Sequence, residues 1–226
     1  MQTPINFWDN EYSQGRSLLR WPDESLISYL YRMVRPDKTI KNVLDLACGS
    51  GRHAILLGQL GYRVIGIEPS ETARNFAKQW VENENLESLV FIKSGDARQI
   101  DEEDSSLDMV IAWNLWNNII SEEDIKKVQS EIRRILRKGG LFLSTMTSTD
   151  DYGYKISRPV DDLDGVRIIN QGEYNGLLMR FWDYRSAERF YRDSGLSIER
   201  IGTYSRSIAF DPDNTIAGWL IAARKN

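Results

Sequence analysis

Val43-Leu-Asp-Leu-Ala-Cys-Gly-Ser-Gly51 is the stretch that decides the fold. Its first five residues are an apolar run broken only by Asp45, which reads as a buried strand ending at the glycines. A helix follows from Arg52 to about Leu60 and is stopped by Gly61. Glycines between a strand and a helix let the backbone approach a ligand closely, and the first turn of the helix favours electron-rich groups. A second strand, Tyr62-Arg-Val-Ile-Gly-Ile67, comes next and ends at Glu68, where a carboxylate can accept from sugar hydroxyls.

The same alternation continues outward. Ser70 has cap chemistry for a helix running to about Glu84, and residues 89–92 and 107–112 read as further strands. Ser121-Glu-Glu-Asp124 opens a helix with Ile125, Val128, Ile132, Ile135 and Leu136 on one face, closed by Lys138 and Gly139-Gly140. Residues 141–146 form a fifth strand. A polar stretch from 147 to about 180 breaks the rhythm and reads as an insert, either a lid or a small hairpin. A helix over 184–194 and two strands, 198–206 and 217–223, close the chain, with a turn at Asp211-Pro-Asp-Asn214 between the strands. The expectation is a doubly wound α/β fold with a seven-stranded, mostly parallel sheet and right-handed crossovers. The last two strands are too close in sequence for a crossover helix, so they should form an antiparallel terminal hairpin. A single domain, 1–226, carries an N-terminal arm over residues 1–39.

Gly49-x-Gly51-x-x-Ala54 followed by Glu68 fits NAD binding as well as other adenosyl ligands. Three features discriminate. Asp45 leads into the glycines, where an acid repels a pyrophosphate but welcomes an ammonium or sulfonium group. Gly95-Asp-Ala97 follows the third strand and suits an adenine amino group and ring. The terminal hairpin is the third. Val43–Gly51, Val64-Ile-Gly-Ile-Glu-Pro-Ser70, Gly95-Asp-Ala97, Leu107-Asp-Met-Val-Ile111 and Leu136-Arg-Lys-Gly-Gly-Leu-Phe142 together resemble the successive motifs of class I, Rossmann-like S-adenosylmethionine-dependent methyltransferases of the small-molecule type. The resemblance covers roughly residues 40–146.

That resemblance implies S-adenosyl-L-methionine as cofactor. It places Asp45, Ala47, Gly49 and Gly51 at the methionyl part, Glu68 and Pro69 at the ribose, and Asp96 with Ala97 at the adenine. It implies methyl transfer to an O or N atom of a small acceptor such as a sugar or other metabolite. A non-catalytic adenosyl-binding protein and an NAD-linked oxidoreductase are the alternatives. Tyr12 and Arg16 of the arm are candidates for the methionyl carboxylate. Trp113 is the candidate cofactor contact in Ala112-Trp-Asn-Leu-Trp-Asn-Asn-Ile119, and Trp116 and Asn117 are candidates for the acceptor. Tyr152, Arg180 and Trp182 mix aromatic and cationic groups suited to flat or anionic substrates. No catalytic base is legible. Asp151, Glu173 and His53 are available, but His53 lies in the first helical turn, where side chains support the loop.

Composition bounds the rest. In 226 residues, 29 basic against 33 acidic side chains give a net charge of −4, so no bulk cationic field exists for nucleic acid. One cysteine and one histidine exclude an intramolecular disulfide and a multi-cysteine or multi-histidine metal centre. No apolar run reaches membrane-spanning length, and the first residues lack signal-peptide character, so a cytoplasmic monomer or homodimer is expected. Seven tryptophans are present. Trp80 and Trp219 fall in elements of the shared fold, whereas Trp8, Trp21, Trp113, Trp116 and Trp182 fall where an acceptor pocket wall is expected.

Overall fold

The computed structural model describes residues 3–35, 37–208 and 211–226. In the arm, α1 (Pro4–Ser13) is followed by α2 (Glu24–Tyr29), which runs into a π-helical turn, Leu30–Val34. Thr3 caps α1 and Pro4 opens it, a position where proline loses no helical hydrogen bond. The repeating part then runs β1 (Asn42–Leu46), α3 (Arg52–Gln59), β2 (Arg63–Ile67), α4 (Glu71–Asn83), β3 (Val90–Lys93), β4 (Leu107–Ala112), α5 (Glu122–Ile135) and β5 (Leu136–Thr147). The last part comprises α6 (Tyr152–Lys155), β6 (Ser157–Pro159), β7 (Val166–Ile169), β8 (Leu178–Arg180), α7 (Tyr184–Asp193), β9 (Leu196–Ile208) and β10 (Asp211–Lys225).

Seven strands form one sheet in the order β3-β2-β1-β4-β5-β10-β9, and β10 is antiparallel to both β5 and β9. The other pairings, β3-β2, β2-β1, β1-β4 and β4-β5, are parallel. This is the doubly wound sheet with a terminal antiparallel pair that the sequence pattern predicts. The strand order reverses at β1, with β2 on one side and β4 on the other. In open α/β sheets, ligands bind beyond the carboxyl ends of the strands at such a point.

Each layer forms for legible reasons. Ser121 accepts from the Asp124 N–H at 3.0 Å, acids fill the first turn of α5, and Arg133 and Arg134 occupy its last. Its buried residues, Ile125, Val128, Ile132 and Ile135, pack with β4, β5 and α7 in one core. On the other face, α2, α3 and α4 cover β1–β3 in a second core that includes Leu26, Leu57, Ala77 and Val81. Both faces are covered, so Val43 to Leu46 are buried as a run and do not alternate.

Three boundaries differ from expectation. Leu136 is already extended and pairs with Leu107, so α5 ends at Ile135 and Gly139-Gly140 lie inside an irregular start of β5. Asp211 pairs with Ile208 and Thr215 with Ser207, so the expected turn at 211–214 is an irregularity within β10. The residues between the two strands lie outside those described. Residues 152–180 form α6 and an antiparallel sheet, β6-β7-β8, one strand more than a hairpin. Phe7 of α1 packs with Ile169, Leu177 and Phe181, so arm and small sheet share a core of their own.

Candidate active site

A cavity of about 610 Å³ opens at the carboxyl ends of β1, β2 and β4, within the size range of ligand pockets, roughly 300–1,000 Å³. Ala47 and Gly49 both have positive φ, +60° and +53°, and their turn lays Ala47 to Ser50 along the cavity wall. Holding Ala47 there costs on the order of 1–2 kcal/mol, a local strain of the kind found at ligand sites. A side chain on Gly49 would sit 3.0 Å from the Tyr12 hydroxyl, so glycine lets α1 close onto the loop. Gly51 acts elsewhere. Its φ is +86°, and a Cβ would lie 2.9 Å from that of Ala77, so it packs α3 against α4 and does not line the cavity.

Glu68 ties the site together. One of its oxygens accepts from the Gly49 N–H at 3.0 Å and the other from the Ser70 N–H at 2.9 Å. It is 5% exposed and faces the cavity. Burial raises its pKa, and the two backbone bonds oppose that shift. Each oxygen keeps a lone pair for a further donor. Pro69, Asp96 and Ala97 line the same wall. Arg98 clamps Asp96, with Nε 2.9 Å from Oδ1 and Nη2 2.5 Å from Oδ2, and holds its carboxyl below the usual carboxylate range. Arg98 also reaches Asp124 at 3.2 Å.

Asp45 lies beneath the glycine loop, 1% exposed and outside the lining. Burial pushes its pKa up to about 7, against the opposing pull of Arg52 and the Ala54 N–H, and its Oδ2 has no hydrogen-bond partner. The Cys48 thiol is also pushed up by burial, and it fills the space beside Gly66 as a packing residue. The His53 Nε2 accepts from the Asp23 N–H at 3.3 Å, and its ring meets Trp113 edge-on at 5.7 Å. Burial, then Arg52, pushes the imidazole well below its ordinary range, so it is neutral and already bonded. Tyr12 and Trp113 line the cavity; burial, then the charge of Glu68, raises the Tyr12 hydroxyl above its ordinary value.

Several sequence candidates lie elsewhere. Arg16 pairs with buried Glu11, Nε to Oε2 at 2.9 Å, and is not in the lining; Arg52 lines the glycine-loop end, its Nη1 donating to the Trp21 carbonyl at 3.0 Å. Trp116 is fully buried against Phe190 and Phe142, and Asn117 is buried beside it. The cause is the 3-10 turn Trp116–Asn118, in which residues three apart share a face. Leu115 and Asn118 therefore face the cavity, while Trp116 and Asn117 turn inward.

Arg180 is a structural strut. It pairs with Glu122 at 2.7 Å and donates to the carbonyls of Ile119, Ile120 and Asp164. Trp182 packs on Phe190, Tyr152 sits in α6, and neither lines this cavity. Asp151 caps α6 and accepts from the Ala217 N–H, and Glu173 is exposed outside the lining. Trp21 is 85% exposed. Of the five tryptophans expected in a pocket wall, only Trp8 and Trp113 line this cavity. Sequence reading passed over Tyr174 and Leu178, which do line it, as do Asn114 and Asn118 of the run already singled out after β4. Tyr174 and Leu178 carry no motif, because the small sheet alone brings them there. Among the described residues, no group of three or more His, Cys, Asp or Glu side chains could hold a metal ion.

Residues 43–140 match the family model described as a methyltransferase domain. The Bacillus subtilis protein YqeM is 32% identical over 108 residues, 47% of this chain and 42% of that one. The chain spans about half the length of the first curated relatives it matches. The 2-heptyl-1-hydroxyquinolin-4(1H)-one methyltransferase of Mycobacteroides abscessus is 21% identical over 204 residues, 87% of this chain and 85% of that one. A SAM-dependent methyltransferase structure from Methanosarcina mazei superimposes with a TM-score of 0.74 at 18% identity, covering 91% and 98% of the two chains.

Proposed function

From a chain that carries a methyltransferase domain on the class I, S-adenosylmethionine-dependent fold, we propose transfer of a methyl group to a small-molecule acceptor bound in the same cavity. The observation that carries the proposal is the convergence of the glycine loop, Glu68 and Asp96-Ala97 on one cavity at the strand-order reversal. The fit to the cofactor is chemical. Glu68 has lone pairs free for two ribose hydroxyls, and Ala97 offers an apolar face to the adenine. The loop turns without side-chain bulk at Gly49. Arg52, in place of Arg16, supplies the cation for the methionyl carboxylate. Asp45 lies beneath the loop, buried and outside the lining, and does not reach the cavity.

When bound, the cofactor supplies an activated methyl group on a sulfonium. The chain's work is then alignment and exclusion of water. Tyr12 and Trp8 close one side through α1, and Trp113, backed by His53, closes another. Among the described residues of the lining, no side chain is free to act as a general base: His53 spends its free nitrogen on Asp23, Glu68 is held by two backbone donors, and Asp96 and Asp124 pair with Arg98. The acceptor enters between the arm, the loop after β4 and the small sheet. It is an O or N nucleophile of a metabolite.

The test is turnover with methyl-labelled cofactor across sugars, amines and hydroxylated aromatics, reading label in the acceptor and S-adenosylhomocysteine released. Stoichiometric transfer to at least one acceptor is the expected result. Tight cofactor binding with no transfer to any of them identifies a non-catalytic adenosyl-binding protein.

A further inference from the structure

The cavity continues past the residues that face the cofactor. Tyr12 lies over Gly49, Trp8 stacks beyond Tyr12 with ring centroids 6.3 Å apart, and Tyr174 lies 5.6 Å beyond Trp8. This aromatic wall runs from the glycine loop to the small sheet. Trp8 is fixed on it by a hydrogen bond from Nε1 to the Asn118 Oδ1 at 2.8 Å. Leu178, Leu115 and Ile120 face the same outer lobe. The charged side chains of the lining, Arg52, Glu68, Asp96, Arg98 and Asp124, come from the first turn of α3, the ends of β2 and β3, and the start of α5. The residues from α1 and the small sheet contribute no charge. Asn118 spends its carbonyl on Trp8 and its amide on the Asn114 backbone carbonyl, and the Asn114 Oδ1 accepts from the Thr145 hydroxyl, so the polar groups left to this lobe are uncharged, the Asn114 Nδ2 among them.

We propose that the outer lobe takes a planar, uncharged aromatic acceptor with an acidic ring hydroxyl, packed against the aromatic wall of Trp8 and Tyr174, rather than a sugar or a phosphorylated metabolite. The inference rests on the methyltransferase reading above. Flat aromatic walls without a charged partner reward ring stacking and leave a phosphate or cation unpaired. Because the carboxylates of Asp96 and Asp124 in the lining are paired with Arg98 and the His53 Nε2 is bonded to the Asp23 N–H, the acceptor must ionise by itself. Its hydroxyl proton goes to water. The oxygen lone pair then forms the new carbon–oxygen bond as the carbon–sulfur bond breaks, and that electron pair stays on sulfur.

Two readouts separate the failure of this inference from failure of the reading it rests on. Calorimetry with S-adenosylhomocysteine tests the cofactor site alone. With that ligand saturating, 4-hydroxyquinoline, 1-naphthol and glucose 1-phosphate are titrated while tryptophan fluorescence is followed. Binding of the two ring compounds, with quenching, and none of the sugar phosphate is expected. Tyr174→Ala and the milder Tyr174→Leu should weaken ring binding about five- to tenfold, the loss of one aromatic stacking partner. Binding of S-adenosylhomocysteine should be unchanged in both. In turnover, the pH of half-maximal rate should move with the acceptor's own pKa from one hydroxyarene to the next. Binding of the sugar phosphate in preference to the rings, or the same inflection for every acceptor, overturns the proposal. So does absence of any ring binding to protein that holds S-adenosylhomocysteine.

Discussion

Replacing Glu68 by alanine tests whether this carboxylate is the ribose anchor. In the folded protein its two oxygens already accept the Gly49 and Ser70 N–H groups at 3.0 and 2.9 Å, and its exposure is 5%. Each oxygen has one remaining lone pair facing the cavity. Hydrogen bonds to a charged acceptor contribute about 1.5–3 kcal/mol each, so losing two from the ribose costs about 3 kcal/mol at the lower bound, roughly a 150-fold rise in Kd. Water entering the space left behind keeps the estimate at that bound. The two backbone donors lose their partner as well, so Glu68→Gln is the companion variant. It keeps the shape and one accepting oxygen, and should fall between wild type and alanine. The assay is calorimetric titration of S-adenosylhomocysteine, with circular dichroism to show that each variant is folded. A 2′-deoxy analogue adds the cycle: removal of that hydroxyl should weaken binding to wild type more than to Glu68→Ala. A folded alanine variant within about threefold of wild type refutes the assignment, since even one charged hydrogen bond exceeds that difference.

Four further outcomes follow from the same geometry. Burial raises Asp45 from a carboxylate value of 3.8 to about 7, so the folded state binds more protons between those pH values. Its contribution to stability is present below about pH 4 and is lost as pH rises through 7, on the order of 4 kcal/mol in all; Asp45→Asn should flatten that limb of the Tm–pH profile, and an unchanged limb contradicts the burial argument. Arg16→Ala should leave S-adenosylhomocysteine affinity within about twofold, whereas Arg52→Ala should weaken it by about tenfold or more; calorimetry showing the reverse order restores Arg16 as the carboxylate partner. Gly51→Ala should cost about 1–3 kcal/mol in chemical denaturation, because φ is +86° and the new methyl meets Ala77 at 2.9 Å. Trp116→Ala should cost about 3–5 kcal/mol as a core deletion, while Trp21→Ser, at an 85% exposed site, should stay within about 0.5 kcal/mol.

The parallel half of the sheet was readable because its strands are buried on both faces and stand out as apolar runs between capped helices. Leu107–Ala112 matches the sequence reading residue for residue. The terminal antiparallel pair was harder. β9 and β10 extend several residues past their apolar centres into polar segments, since backbone pairing needs no apolar side chain. The glycine loop was legible as a site, yet Gly49 and Gly51 do different jobs, and only the approach of Tyr12 and of Ala77 separates them. The sequence places Asn117 and Asn118 on an equal footing; the single 3-10 turn that follows β4 sends one to the core and the other to the cavity. Arg180 and Trp182 have the composition of a binding site, but their partners, Glu122 and Phe190, come from distant elements. Tyr174 reaches the cavity through the packing of Phe7 against the small sheet, a long-range contact without a local signature.

The presence of an adenosyl site of the sulfonium type in that cavity is tested most directly by titrating the unmodified protein with S-adenosylhomocysteine and, separately, with NAD. Saturable heat at one site per chain with S-adenosylhomocysteine and none with NAD is the predicted result. Heat from NAD alone contradicts it, because a pyrophosphate would then occupy the loop that leads out of Asp45.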